Sequence, residues 1–492
     1  MKETSVLIRK LIDPLVYLFV FIFFLNLTTD PDLGWHLKYG EYFFKTGHIL
    51  RDNIFSTMMA DYKWVNHSWA QDLIAYQVFD KFGFFGITIL GSLVVTFTFL
   101  FLAKAFKLSF WDKVFLFPIV AFLVSNVNVV SFRTQLTSYL FTAILFYIIS
   151  LYEKNPKRLY FTIPLFFLWA NFHGGFILGL ALLLGYIGIK KLLALWENRN
   201  LKLIISNSRI EVVSLMGIFV ATLINPFGTG VYFEALGHFG SPWLKYVSEW
   251  APFTDLSSQW WNLIIFVNLY LVGIIILFAT GKLKERAPIA ILIFLFFTLS
   301  LYERRYAWSM YYISLPMLAG ISEFFKPNSK TNQLLSAFII SLALIVYVIN
   351  IKAPIDKYLT MNWNTFCQNT ANLCSPKAME FIKKNNLTSD LSTPYSWGGW
   401  MIWNYPDVKP SIDGRMHLWE DEKGYSAFAE YYTNVQDWES IDKSKYNNVL
   451  VLKQKPMFKR LKTLTAEGKW RFVYEDNVSA VFIRKTTPPT TN

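Results

Sequence analysis

Long apolar runs recur along this chain, separated by short loops in which lysine and arginine gather at every second interval, and a bundle of helices in a bilayer is the architecture that satisfies both features. About eleven runs approach the roughly 17 to 25 residues needed to cross a hydrocarbon core, allowing for shorter helices packed in a bundle. They lie near Pro14 to Leu27, Phe82 to Ala103, Val114 to Val130, Leu136 to Leu151, Leu159 to Phe172, Phe176 to Ile189, Val212 to Ile224, Trp261 to Thr280, Ala287 to Leu301, Tyr306 to Ile321 and Leu334 to Ile351. The clusters Lys2/Arg9/Lys10, Lys104/Lys107/Lys113, Lys154/Lys157/Arg158, Lys190/Lys191/Arg199/Lys202/Arg209, Lys282/Lys284/Arg286 and Lys326/Lys330 then share one side, which their charge marks as cytoplasmic. An odd number of spans puts the N-terminus inside and the C-terminus outside.

Composition agrees: 54% of residues are hydrophobic and 16% charged, against about 25% charged in an average soluble protein. The net charge of +13 is spread over loop ends rather than gathered in one patch, so membrane lipid and not nucleic acid is the expected partner. Lys2, Arg9 and Lys10 precede the first apolar run without a small-residue cleavage site after it, and Thr28-Thr29-Asp30-Pro31 reads as a helix exit; the segment is expected to be an uncleaved anchor. The expected organisation is a transmembrane domain over residues 1–351, with a first external loop at 28–81, and a small extracytoplasmic α/β domain over 352–492. In that tail Asn447 to Leu452 and Val478 to Ile483 carry strand signals, Pro376 to Lys384 a helix signal, and Thr486 to Asn492 the composition of a disordered end. Cys367 and Cys374 are the only cysteines; an outer location would let them form a local disulfide, and two reduced thiols remain the alternative.

The stretch from Thr28 to Asp72 differs from everything around it, carrying Asp30, Asp32, His36, His48, Asp52, His67 and Asp72, and thus three of the chain's six histidines. Asp30 and Asp32 flank Pro31 where the first apolar run should meet water. A carboxylate held there can deprotonate an acceptor hydroxyl, or hold a divalent metal that neutralises a phosphate leaving group. Gly34, Trp35 and His36 follow, and then a segment, Leu37 to Phe44, amphipathic enough to lie on the interface.

The layout Asp-Pro-Asp-Leu-Gly-Trp-His-Leu from Asp30, then Gly40-Glu41, Asp52-Asn53-Ile54-Phe55-Ser56 and Trp64-Val65-Asn66-His67-Ser68-Trp69, resembles the polytopic GT-C glycosyltransferases that use polyprenyl-phosphate-linked sugars. The resemblance continues through Trp169-Ala170-Asn171-Phe172-His173-Gly174-Gly175 and Asn225-Pro226-Phe227-Gly228 and reaches the tail at Ile412-Asp413-Gly414-Arg415. It implies transfer of a hexose or pentose, with inversion, from a polyprenyl-phosphate-linked donor to a lipid, glycan or protein acceptor at the outer face of the cell membrane. It also implies that an acidic residue of the first external loop is the catalytic base or metal contact: Asp32, with Asp30 as its partner.

Other residues suit substrate contact. Arg133 is the lone charge in an apolar hairpin, where a guanidinium is costly and either suits bidentate phosphate binding or snorkels to the lipid headgroups; Thr134 follows it where similar chains commonly carry proline. His173 lies between Asn171 and two glycines at a helix-to-helix turn, and His67 lies between Asn66 and Trp69; each is a substrate contact or a satisfied buried histidine. His36, Glu249, Arg304 and Arg305 complete the set, external arginines running against the cytoplasmic bias and so wanting an anionic partner. In the tail, Ser396-Trp397-Gly398-Gly399-Trp400 and Asp413-Gly414-Arg415 read as tight turns, with a sugar-facing aromatic platform as the alternative. Two rival functions remain: a transporter or flippase of lipid-linked glycans, which should carry charges or broken helices at matching places in two halves, and a catalytically silent glycan-binding relative.

Overall fold

The structure is a computed structural model that describes residues 2–127, 130–198, 208–238, 243–247, 250, 252, 260–303, 306, 311–312, 327, 329–368, 373–436 and 440–485. The protein is mostly helical with a small C-terminal sheet, and it divides into two compact units. The first comprises Met1–Leu27, Thr88–Leu236 and Lys245–Ile355; the second comprises Thr28–Ile87, Gly237–Leu244 and Asp356–Asn492.

The first unit is a helical assembly. Among the described residues five helices are long and apolar enough to cross a membrane: Trp69–Phe106, Gln135–Tyr152, Phe176–Glu197, Leu283–Tyr302 and Asn332–Ile351. That is fewer than the eleven spans expected. Ile12–Phe23 and Leu263–Ala279 are apolar but shorter, and Thr162–Phe172 and Arg209–Leu223 end after 11 and 15 residues, below the roughly 20 of a helix that spans about 30 Å without local thinning of the bilayer. Phe110–Val127 begins with the charged pair Asp112 and Lys113, and most of the expected span Tyr306 to Ile321 lies outside the described residues. The helices pack through small residues and a few buried polar bonds. Gly179 lies against the Trp169 ring, where a Cβ would come within 2.5 Å of it, and Asn171 donates to the Ile224 carbonyl at 2.9 Å.

The second unit is built from pieces far apart in sequence. Its helices include α1 (Leu33–Thr46), the first part of α2 (Trp69–Phe106), α3 (Pro376–Lys384), α4 (Gly398–Asn404), α5 (Ala427–Gln436) and α6 (Pro456–Ala466). Its strands are β1 (Leu391–Ser392), β2 (Asn448–Leu452), β3 (Trp470–Glu475) and β4 (Ser479–Arg484), in the order β1-β2-β4-β3. β1 is parallel to β2, and β4 is antiparallel to both β2 and β3. Val449, Val451, Leu461, Leu464, Trp470 and Phe482 fill the core beside the sheet, which explains why β2 reads as a continuous apolar run rather than an alternating one. The strands and the helix α3 expected in the tail are therefore present, displaced by at most a residue or so. Cys367 and Cys374 are joined as a disulfide, with Cα atoms 4.6 Å apart. Thr486 to Asn492 lies outside the described residues.

α2 bends at Gly83, whose φ of 56° and ψ of −150° no other residue type adopts readily. The helix belongs to the second unit before this bend and passes into the first after Ile87.

Candidate functional site

The N-terminus of α1 sets the site. Asp32 occupies the cap position, yet its carboxylate makes no capping bond to its own helix. Asp30 takes a neighbouring role instead: its Oδ1 accepts the Asp32 backbone N–H at 3.2 Å, and its carbonyl accepts from Leu33. Both carboxylates thus sit where exposed helix amides favour negative charge. The helix closes at Gly47, left-handed at φ 72°, whose N–H bonds to the Phe43 carbonyl. Leu37 to Phe44 does not form the surface segment expected throughout: Leu37, Tyr39 and Gly40 are buried, and only the last turns emerge, with Phe44 about half exposed.

Two glycines of α1 decide what that helix touches. At Gly34 a Cβ would fall 1.9 Å from the Gly399 carbonyl oxygen of α4, and at Gly399 one would fall 2.3 Å from the Pro31 carbonyl. Gly398 and Gly399, expected in a turn, instead begin a helix pressed against α1. At Gly40 a Cβ would lie 2.6 Å from the Asp72 carbonyl, so α1 crosses α2 with almost no side chain between them. Gly34→Ala is expected to destabilise the second unit by about 1–3 kcal/mol or more, because the clash is with backbone rather than with a side chain that can rotate. A thermal unfolding midpoint equal to wild type would show that the two helices separate without cost.

One turn before Gly40, the close crossing brings His36 to Asp72. Nδ1 of His36 lies 2.6 Å from Asp72 Oδ1, while the second carboxylate oxygen accepts from Asn66 Nδ2 at 2.7 Å. Asn66 is held in turn by Ser68, whose backbone N–H and hydroxyl both donate to Asn66 Oδ1 at 3.0 Å. Burial alone would lower the His36 pKa, but the Asp72 carboxylate, its hydrogen bond and the charges of Asp30 and Asp32 outweigh it and raise it above the ordinary histidine value. A raised folded-state pKa gives stability that is complete below about pH 6.5 and is lost as pH climbs through the folded value. The stability advantage of wild type over His36→Asn is therefore expected to shrink between pH 6 and pH 9; unfolding midpoints whose difference stays constant across that range would contradict the charged pair.

Aromatic rings surround this dyad. Trp35 stacks on the His36 ring with centroids 3.5 Å apart, and Trp64 meets Trp35 edge-on at 5.9 Å and Tyr39 at 5.7 Å. Beyond Trp64 lies a buried ion pair. Arg415 donates to Asp413 through Nε at 2.7 Å and Nη2 at 2.7 Å, and to Asn53 Oδ1 at 2.9 Å. Its guanidinium lies over the rings of Phe55, Trp64 and Trp419 at 5.1, 4.8 and 5.2 Å. Burial would raise the Asp413 pKa, but Arg415, together with the Ser56 hydroxyl bond, holds it below the usual carboxylate range. Backbone bonds from Thr57 to the Pro410 carbonyl and from Met58 to Ser411, both 3.0 Å, tie the same two segments together. Asp413-Gly414-Arg415 is thus the cap and start of a 3₁₀ turn rather than a loose tight turn, and Gly414 leaves room for Asp32, whose Oδ1 would lie 1.8 Å from any Cβ there.

The second unit holds Asp30, Asp32, His36 and His67 of the expected site residues, and the first holds Arg133 and His173. His67 lies edge-on to His238 at 6.4 Å between centroids. His238 Nε2 is in turn 3.4 Å from His417 Nε2, and His417 Nδ1 donates to the Gly414 carbonyl at 2.7 Å. Arg133 is half-buried. His173 is buried; its Nδ1 accepts the Gly175 N–H at 2.9 Å and pairs with Ser138 Oγ at 2.8 Å, which places the neutral ring's proton on Nε2. Glu249, Arg304 and Arg305 lie outside the described residues. Among the described residues no group of three or more His, Cys, Asp and Glu side chains is arranged to hold a metal ion.

Sequence reasoning did not pair Asp72 with His36, nor see Asp413 and Arg415 as an ion pair. Asp72 stood in the same polar stretch, but no spacing rule links residues on two different helices. No protein-family model and no curated protein sequence matches this chain.

Proposed function

We propose that this chain is a GT-C-type membrane glycosyltransferase that moves a hexose or pentose, with inversion, from a polyprenyl-phosphate-linked donor to a lipid, glycan or protein acceptor at the outer face of the cell membrane. In this reading the chain crosses the bilayer about eleven times, with the N-terminus cytoplasmic and the 28–81 loop and the 352–492 tail outside, where a Cys367–Cys374 disulfide would persist. The observation that carries the reading is the helix N-terminus bearing Asp30 and Asp32 beside a buried His36–Asp72 dyad and a wall of tryptophan. Carboxylates and aromatic rings on a rigid, water-poor frame are what proton abstraction from a sugar-bearing or hydroxyl acceptor requires.

Asp32 accepts the acceptor's hydroxyl proton as the oxygen attacks the anomeric carbon, the bond to the phosphate breaks, and the leaving phosphate carries away its electron pair. Asp30 fixes the backbone at Asp32. The test is transfer by the purified full-length protein from a panel of polyprenyl-phosphate-linked hexoses and pentoses, read by mass spectrometry alongside cell-envelope glycans with and without the gene. Movement of lipid-linked glycan across a vesicle membrane with no glycosidic product would overturn the reading in favour of transport.

A further inference from the structure

The hydrogen-bonding capacity around the His36–Asp72 dyad is unbalanced. Among the described residues the indole N–H groups of Trp35 and Trp64 have no hydrogen-bond partner, although both residues are more than nine-tenths buried, at 7% and 6% exposure. A buried donor left unmet is costly and calls for an occupant. His36 adds a third polar group: Nδ1 is committed to Asp72 and one ring face to Trp35, while Nε2 makes no hydrogen bond among the described residues and donates from the protonated ring or accepts on the neutral one. These three side chains are successive neighbours, His36 stacked on Trp35 at 3.5 Å and Trp64 edge-on to Trp35 at 5.9 Å between ring centroids.

Two indole donors beside an imidazolium would suit a phosphate. The local charge argues against it: Asp72 bonds His36 directly, Asp30 and Asp32 lie close enough to act on its charge, and the Arg415 guanidinium against Trp64 is already paired with Asp413, so the carboxylates outnumber the cations. An anion would be repelled, whereas a neutral polyol can accept from the indoles and donate to the carboxylates. The indole rings of Trp35 and Trp64 beside such groups, backed by the buried Tyr39 and Trp419 rings at 5.7 and 6.0 Å from Trp64, are an apolar partner for the apolar face of a pyranose.

We infer that Trp35, His36 and Trp64 form a subsite for the ring hydroxyls of a neutral sugar, one that discriminates against phosphate. The inference rests on the proposed glycosyl transfer only for its biological use; the binding itself is measured without transfer. The purified full-length protein is titrated with a panel of methyl hexosides and methyl pentosides by saturation-transfer difference NMR, with inorganic phosphate as competitor. At least one glycoside is expected to bind, phosphate is expected not to displace it, and Trp35→Phe and Trp64→Phe, which keep a ring but remove the N–H, should each weaken binding by roughly 2–10-fold. His36→Asn keeps a donor in the Nδ1 position for Asp72 while deleting Nε2, so weaker binding measured well below the variant's own unfolding midpoint, where it is fully folded, separates sugar contact from mere support. Absence of binding by every glycoside, displacement by phosphate, or equal affinity in wild type and the Trp35→Phe/Trp64→Phe double variant would each overturn the subsite. Sugar binding without transfer from any lipid-linked donor would instead overturn the glycosyltransferase reading and leave the subsite standing.

Discussion

A purified Asp32→Asn protein is expected to fold and insert normally yet transfer sugar at least about 10²–10⁴-fold more slowly than wild type, the range contributed by a positioned proton acceptor. Asparagine keeps the size of aspartate and its ability to accept hydrogen bonds, and the native carboxylate makes no capping bond that the helix would lose. Asp30→Asn should be milder, because what Asp30 does in the structure is accept the Asp32 N–H through Oδ1, and an amide oxygen can do the same. Reversed severities would exchange the roles of the two residues. Undiminished transfer from a lipid-linked donor by the Asp30→Asn/Asp32→Asn double variant would remove the site altogether.

The largest stability effect belongs to Asp413. Its side chain and that of Arg415 are essentially sealed from solvent, so Asp413→Ala leaves a guanidinium buried among Phe55, Trp64 and Trp419 without its counter-charge, at an expected cost of about 3–5 kcal/mol. The double variant Asp413→Leu/Arg415→Met should be markedly less destabilised than Asp413→Ala, since removing both charges also removes the penalty for burying one. Chemical unfolding of the three proteins decides it; a double variant no more stable than the single would show that the charges are not the source of the effect. Because the same pair joins Asn53 and Ser56 to the tail, transfer should fall with stability even though neither residue abstracts a proton.

How much was legible beforehand depended on whether a feature is local. Apolar runs announced helices, and β2, β4 and α3 appeared within about a residue of where patterning put them, because short β-branched apolar runs, turn residues and the Ser375-Pro376 start act over a few positions. Span counting was less secure: helices such as Thr162–Phe172 are apolar without being long. Asp30, Asp32 and His36 stood out by their setting, but Asp72 acquires its role only because Gly40 lets two helices touch. Gly398 and Gly399 looked like turn residues; their lack of side chains serves close helix contact instead. Asp413 and Arg415, two residues apart, gave no sign that Asn53 and Ser56 would close around them.

The bond between Ser56 and Asp413 joins residues 357 positions apart, and this distance has a meaning in time. At about 5–20 residues per second, roughly 20–70 s of synthesis separate the two partners. During that interval the segment bearing Asp30 and Asp32 has left the ribosome without the strands, the ion pair or the α4 backbone against which it will rest. The contacts that surround Asp30 and Asp32 are therefore assembled late, only after Asp413 and Arg415 have emerged and most of the apolar helices have already been made.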